Sequence, residues 1–270
     1  MMKIHYLGTA AAEGWPAVFC QCEPCRLARK KGGKNIRTRS SLLIGDDVLV
    51  DLPPDTYLHA LRAGLELGKI RHLLLTHSHG DHFYWPELFQ RAEPYAHLEP
   101  GQTLHIWGNE KVGGILREEA DKFGPCQIHT VRPGDAFQAG KLSVTALRAD
   151  HAKGEDALLY LISDGADRIF HAHDSGLYPE ETWRALAGKK LNLVNFDCTF
   201  GPISSRTWHM GIPEVLEAKA KLEAIGALGA GAKCVITHFS HNGGLLHSQL
   251  EELTESAGLI VAYDGMSIEI

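Results

Sequence analysis

His72-Leu73-Leu74-Leu75-Thr76-His77-Ser78-His79-Gly80-Asp81-His82 decides the reading of this chain. The apolar run that opens it has the composition of a buried strand. The run ends in four metal-binding side chains packed into His77–His82. Functional groups in α/β proteins gather on loops at the C-terminal ends of strands. Residues two apart on an extended segment point the same way. His77 and His79 are therefore expected to grip one ion, and Asp81 and His82, beyond the Gly80 turn, to face a second. Imidazole with carboxylate suits Zn²⁺, Fe²⁺ or Mn²⁺. A solvated polar loop is the plain alternative, and so dense a spacing argues against it.

Working outward, short β-branched or leucine-rich runs recur at Met2–Leu7, Ser41–Ile44, Val48–Asp51, His72–Thr76, Leu104–Trp107, Leu142–Leu147, Ala157–Ile162, Arg168–His173, Leu191–Phe196 and Lys233–Thr237. Each is bounded by Gly, Asp or Pro, as strands are. Helical periodicity covers Asp55–Leu67, Asn109–Phe123, Pro213–Ile225 and His247–Ser256, with Gly68 and Gly124 where cap glycines would sit. The second half loosely repeats the order of the first, hairpins and then strand and helix. Two packed sheets with helices outside, in one domain spanning residues 1–270, is the expected architecture.

Composition sets the outer limits. The chain has 270 residues, 44% hydrophobic and 22% charged, which excludes a disordered or collagen-like protein. A net charge of −6 leaves no global field for holding a polyanion, so nucleic acid is not an expected partner. Sixteen histidines are a surplus that points to metal. Neither a signal-like h-region nor an apolar run of the roughly 20 residues a membrane span needs occurs, so a cytoplasmic location without membrane contact is expected.

The pattern His77-x-His79-x-Asp81-His82 resembles the signature of the metallo-β-lactamase superfamily. That resemblance implies an αββα four-layer sandwich, two mixed β-sheets flanked by helices, with a metal site, usually dinuclear, along one edge. It also implies further ligands behind later strands. His151, after Leu142–Leu147, fits the third histidine of the first metal. Asp174, after Arg168–His173, fits the bridging aspartate. His238, after Lys233–Thr237, fits the last ligand of the second metal. Of His171 and His173, one is expected to be buried and hydrogen-bonded. His5, His59, His72, His97, His105, His129 and His247 belong to no constellation and are read as surface residues or outer neighbours of ligands.

Cys20-Gln21-Cys22-Glu23-Pro24-Cys25 offers three thiols over six residues. In a reducing compartment such crowding suggests metal ligation more than disulfides. A tetrahedral Zn²⁺ wants a fourth ligand. With Gly8-Thr9, Gly14-Trp15-Pro16 and these cysteines, the opening resembles PhnP-type phosphodiesterases. That resemblance implies a structural zinc on Cys20, Cys22, Cys25 and His241, tying the N-terminal loop to the rim of the catalytic site. Cys126, Cys198 and Cys234 are read as small buried residues.

Asp197-Cys198-Thr199 and Trp208-His209-Met210-Gly211 precede a helix, and by resemblance to phosphodiesterase branches His209 fits a catalytic residue. Arg37 and Arg39 form a basic pair that could meet a phosphate, although such a pair is more often a solvated face. The expected cofactors are two divalent ions in the active site, Zn or Mn or else Fe, and one structural Zn. Two neighbouring cations lower the pKa of a shared water and hold both oxygens of an in-line displacement at phosphorus. Asp81 would take a proton from the nucleophile, and His209 would neutralise the phosphoryl oxygens or protonate the leaving group. The expected activity is hydrolysis of a small cyclic phosphate ester, phosphoribosyl or ribonucleoside. A tRNase Z-like RNA 3′-processing nuclease, a lactone or thioester hydrolase, and a non-catalytic metal-binding accessory protein remain as alternatives, and a homodimer is left open.

Overall fold

Side chains alternate across a strand, and in this chain both directions are apolar. Ser41–Ile44 sends Leu42 and Ile44 into one core and Leu43 into another. Leu158, Tyr160 and Ile162 face that first core, while Leu159 and Leu161 face a third. Strands buried on both faces need apolar residues at every position, which explains the continuous runs in the sequence.

A computed structural model describes residues 1–270. Its strands are β1 (Lys3–Gly8), β2 (Ser41–Ile44), β3 (Val48–Val50), β4 (His72–Leu74), β5 (Leu104–Gly108), β6 (Cys126–Thr130), β7 (Ala136–Ala139), β8 (Leu142–Arg148), β9 (Leu158–Ser163), β10 (Arg168–Ala172), β11 (Leu191–Asp197), β12 (Leu228–Thr237), β13 (Leu259–Val261) and β14 (Ser267–Glu269). The helices are α1 (Glu23–Lys31), α2 (Thr56–Ala63), α3 (Glu110–Glu119), α4 (Glu180–Leu186), α5 (Ile212–Ala224) and α6 (His247–Thr254). Two seven-stranded sheets run β14-β1-β2-β3-β4-β5-β6 and β13-β12-β11-β10-β9-β8-β7. In the first, β14, β1, β2 and β3 pair antiparallel and β3 to β6 parallel. In the second, β7 to β10 pair antiparallel and β10 to β13 parallel. The expected sandwich of two similar halves is what the chain forms.

Three apolar clusters make the layers. Ile4, Val50 and Leu74 meet Val144, Tyr160 and Leu193 between the sheets. Leu73 and Ile106 meet Val112 and Leu116 of α3 outside the first sheet. Phe170, Val194 and Ile236 meet Trp183, Val215 and Leu250 of α4, α5 and α6 outside the second. The α3 helix starts where Asn109 accepts the Val112 N–H at 2.9 Å, an N-cap.

The sequence reading missed β6, β7, β13, β14, α1 and α4. They are short or weakly patterned: β14 buries only Ile268, and α1 buries only Cys25 and Ala28. β12 begins at Leu228, five residues early, because Gly229-Ala230-Gly231-Ala232 gives no strand pattern yet pairs through Leu191↔Leu228. The second helix ends at Ala63, since Gly64 at φ 63° caps it, whereas Gly68 lies in a following 3₁₀ turn.

The topology brings one set of strand ends together. β8, β10, β11 and β12 run in the same direction, and β3 and β4 are parallel to each other. Their C-terminal ends lead into Asp51, the His77–His82 loop, His151, Asp174, Asp197 and His238.

Candidate metal centre

The donor atoms of His77, His79, His151 and Asp174 lie within 4.8 Å of one another, and so do those of Asp81, His82, Asp174 and His238. Asp174 belongs to both groups. Its Oδ2 stands 3.2 Å from His77 Nε2, 3.0 Å from His82 Nε2 and 3.3 Å from His151 Nε2. Both sheets contribute to each group. The first sheet's loop supplies four donors and the second sheet's strand ends supply the rest.

Hydrogen bonds on the far side of the rings fix which nitrogen faces inward. Nδ1 of His82 donates to Asp51 Oδ2 at 2.7 Å, which turns its Nε2 inward. Burial would lower the ring's pKa, but the carboxylates of Asp81, Asp51 and Asp174 outweigh it and hold the pKa well above the usual imidazole value, so a metal ion bound at Nε2 would displace a proton. That nitrogen faces His238 Nε2 at 3.2 Å and Asp81 Oδ2 at 3.1 Å. Nδ1 of His151 donates to the Trp208 carbonyl at 3.0 Å, so its Nε2 faces His79 Nδ1 at 3.1 Å as an acceptor. Imidazole nitrogens and carboxylate oxygens crowded this closely need a cation among them, a shared proton or a metal ion. His77 Nε2 is moreover buried without an aligned hydrogen-bond partner. A tetrahedral Zn²⁺ with nitrogen ligands at about 2.0–2.1 Å sets neighbouring donors about 3.3 Å apart. The side chains fit two divalent ions that share Asp174. His79 is exposed while His77 and Asp174 are buried, so the first group opens to solvent.

Burial alone would raise the pKa of Asp81, but His82 and His238 reverse this and keep it ionised. The same contest holds Asp174 well below the usual carboxylate range, with His238, His209, His77 and His82 outweighing burial.

Backbone strain is concentrated here. Left-handed φ angles of 62°, 54°, 55°, 68° and 62° occur at Asp51, Ala152, Asp174, Trp208 and His238; Lys190 is the one other non-glycine residue with positive φ. Such conformations cost about 1–3 kcal/mol each and persist where the surroundings impose them.

His209 stands beside the cluster. Its Nδ1 lies 3.1 Å from Asp197 Oδ2, 3.0 Å from Asp174 Oδ1 and 3.2 Å from Thr199 Oγ1. Burial would lower its pKa, but the two carboxylates raise it to about 10. Thr199 Oγ1 also lies 2.8 Å from His238 Nδ1, linking His209 to the second group.

At the other end of the rim, Cys20, Cys22, Cys25 and His241 converge. Sγ of Cys20 and of Cys22 lie 3.6 and 3.4 Å from His241 Nδ1. Ligands at about 2.3 Å for sulfur and 2.0–2.1 Å for nitrogen give a tetrahedral edge of about 3.6 Å. The amides of Ala17 and Cys22 donate to Cys25 Sγ and Cys20 Sγ, each at 3.4 Å. The bond lowers the Cys20 pKa, whereas at Cys25 burial outweighs it and pushes the thiol up to about 12, a cost that a bound Zn²⁺ would offset. These four side chains fit one Zn²⁺.

Several readings need correction. Arg37 does not face the site: it is buried, donates to Thr9 Oγ1 at 2.8 Å and to the Ala262 carbonyl at 2.5 Å, and covers the Phe239 ring. Arg39 pairs with Asp55 at 3.2 Å. Neither is free for a phosphate. His59 and His247, read as peripheral, are buried, and so are both His171 and His173. Cys126 is only partly buried, unlike Cys198 and Cys234. The sequence reading missed Asp51, which also accepts from Thr76 N at 2.9 Å and from His173 Nε2 at 3.1 Å. An acidic residue closing an apolar strand was its only signal. It missed Glu155 too, which braces the motif loop through Ser78 N at 3.0 Å and Asn109 Nδ2 at 2.8 Å.

Residues 47–239 match the Beta-lactamase superfamily domain. The chain is 24% identical to coenzyme PQQ synthesis protein B of Methylobacterium radiotolerans, covering 100% of both. It is 30% identical over 201 residues to ribonuclease Z of Pyrococcus abyssi, covering 71% of this chain and 59% of that one. Among solved structures, a diphosphatase from the PhnP family superposes with a TM-score of 0.78 at 24% identity, covering 100% of this chain and 98% of the other. With its fold, its paired donor groups and this match in view, the chain belongs to the metallo-β-lactamase superfamily of metal-dependent hydrolases.

Proposed function

We propose that the protein is a phosphodiesterase that hydrolyses a small cyclic phosphate ester. The observation that carries this is the pairing of His209 with Asp197 at the edge of the donor groups, 3.0 Å from Asp174. Hydrolysis at phosphorus develops charge on several oxygens at once and expels an alkoxide. A histidine backed by a carboxylate suits that need. Carbonyl hydrolysis expels a leaving group too, but develops charge on a single oxygen, which the metal ions alone can neutralise.

His77, His79, His151 and Asp174 would hold one ion, and Asp81, His82, His238 and Asp174 the other. When bound, the pair supplies an acidified water and charge neutralisation at phosphorus. The protein's own residues do the rest. Asp174 fixes the separation of the two groups. Asp81 takes the proton released as the water oxygen bonds to phosphorus. His209 delivers a proton to the departing ester oxygen as the P–O bond breaks, and Asp197 stabilises its charged form. One diester and one water give one monoester. A cyclic ester needs only a pocket, in keeping with the net charge of −6. Cys20, Cys22, Cys25 and His241 would hold a structural zinc that anchors the N-terminal loop.

Turnover of bis-p-nitrophenyl phosphate and of a ribose cyclic phosphate, with Mn²⁺ and after chelation, tests the reading. Metal-dependent hydrolysis that falls about 10²–10⁴-fold in His209→Ala is expected. Turnover of a lactone or thioester with none of either diester would overturn it.

A further inference from the structure

We infer that Trp208 is a specificity-determining residue, an aromatic platform on which a planar base carried by the ester stacks, so that ribonucleoside cyclic phosphates are preferred to ring-free ones. This rests on the phosphodiesterase reading and selects within it.

The main chain of Trp208 is committed to the metal centre. Its carbonyl accepts from His151 Nδ1 at 3.0 Å, and its N–H donates to Asp150 Oδ2 at 3.3 Å. These bonds place the residue at φ 68°, a conformation that penalises a bulky side chain and favours glycine or asparagine. The residue is nevertheless 44% exposed and belongs to none of the three apolar clusters. The bonds to His151 and Asp150 need only a backbone, and the part of the indole left in the open is available to a ligand.

Its position suits a substrate contact. The indole centroid lies 6.2 Å from the ring of His151, and the next residue is His209. The ring therefore flanks the solvent-facing donor group, within a nucleotide's length of it. Lys153 lays its ammonium over the indole, 5.4 Å from the centroid, so a base would stack on the opposite face or in place of that flexible side chain. A flat base stacks on such a π-surface, and the neighbouring cation suits the anionic phosphate that the base brings with it. Stacking requires no base-specific hydrogen bond, so any of the four bases would serve.

The test compares adenosine 2′,3′-cyclic phosphate with ribose 1,2-cyclic phosphate, which has no ring to stack. The Mn²⁺-loaded wild type, Trp208→Ala and Trp208→Phe are assayed. The readout is the ratio of kcat/KM for the two esters, which a general disturbance of His151 would leave in place. Trp208→Ala should lower the preference for the base-bearing ester about 10-fold, the size of one base–aromatic stack, and Trp208→Phe should largely restore it. An unaltered ratio in Trp208→Ala overturns the platform even if both esters are hydrolysed. If wild type hydrolyses neither ester, the phosphodiesterase reading falls. The platform is then judged by the same criterion on the ratio of Kd values from calorimetry.

Discussion

Oδ2 of Asp51 lies 2.7 Å from Nδ1 of His82, and both side chains are fully buried. The same carboxylate receives Thr76 and His173, so one side chain aims a ligand and anchors the motif loop. Asp51→Asn keeps the shape but gives up the charge and one acceptor. Metal affinity should fall about 10–100-fold, the usual effect of losing a ligand's outer partner. Isothermal titration with Mn²⁺ or Zn²⁺ measures it, and an affinity equal to wild type would refute the role.

Asp174→Ala removes the one side chain common to both donor groups. The variant should lose metal from the active site and nearly all activity while retaining the clip zinc. Metal analysis by mass spectrometry beside an activity assay decides the matter, and full occupancy would contradict the assignment.

Cys22→Ser should cost one zinc per chain and lower the melting temperature. The active-site ions should stay, because none of Cys20, Cys22, Cys25 and His241 belongs to either active-site donor group. An undiminished zinc count would refute the clip.

Arg37→Ala should destabilise the fold by about 3 kcal/mol, because it leaves the buried Thr9 and Ala262 acceptors without their donor. If Arg37 instead met substrate, denaturant midpoints would hardly move while KM rose.

His59 gives a pH test well away from the metal centre. Burial is the main cause that lowers its pKa from 6.5 to about 4, and its Nε2 pairs with Thr38 Oγ1 at 2.8 Å. Between those values the unfolded chain binds the proton and the folded chain does not. Stability from this group is therefore complete above pH 6.5 and is lost as pH falls towards 4, by up to on the order of 3 kcal/mol. His59→Gln should flatten that part of the urea-midpoint profile, and a profile parallel to wild type would exclude the effect.

The legible parts of the sequence were those where chemistry and periodicity coincide. Leu73, Leu74 and Leu75 announced a doubly buried strand, and the histidines that follow had no other economical reading. His151, Asp174 and His238 were singled out by the family resemblance, which places ligands behind strands, and each does follow an apolar run. Edge strands stayed hidden because only one side of them needs to be apolar, as the single buried Ile268 of β14 illustrates. Arg37 misled because a charged residue in sequence looks the same whether it faces water or lies over Phe239 with its donors satisfied inside. Asp51 escaped notice for a related reason: its partners lie up to 122 residues away in the chain.

Because His77, His79, Asp81 and His82 hang from one sheet while His151, Asp174 and His238 hang from the other, the ions would act as rivets through the seam of the sandwich. Binding energy spent there becomes cohesion between the two halves. Chelation should therefore loosen the joint between the sheets as well as silence the chemistry, with faster amide exchange along the facing residues of β3 and β10 as its mark.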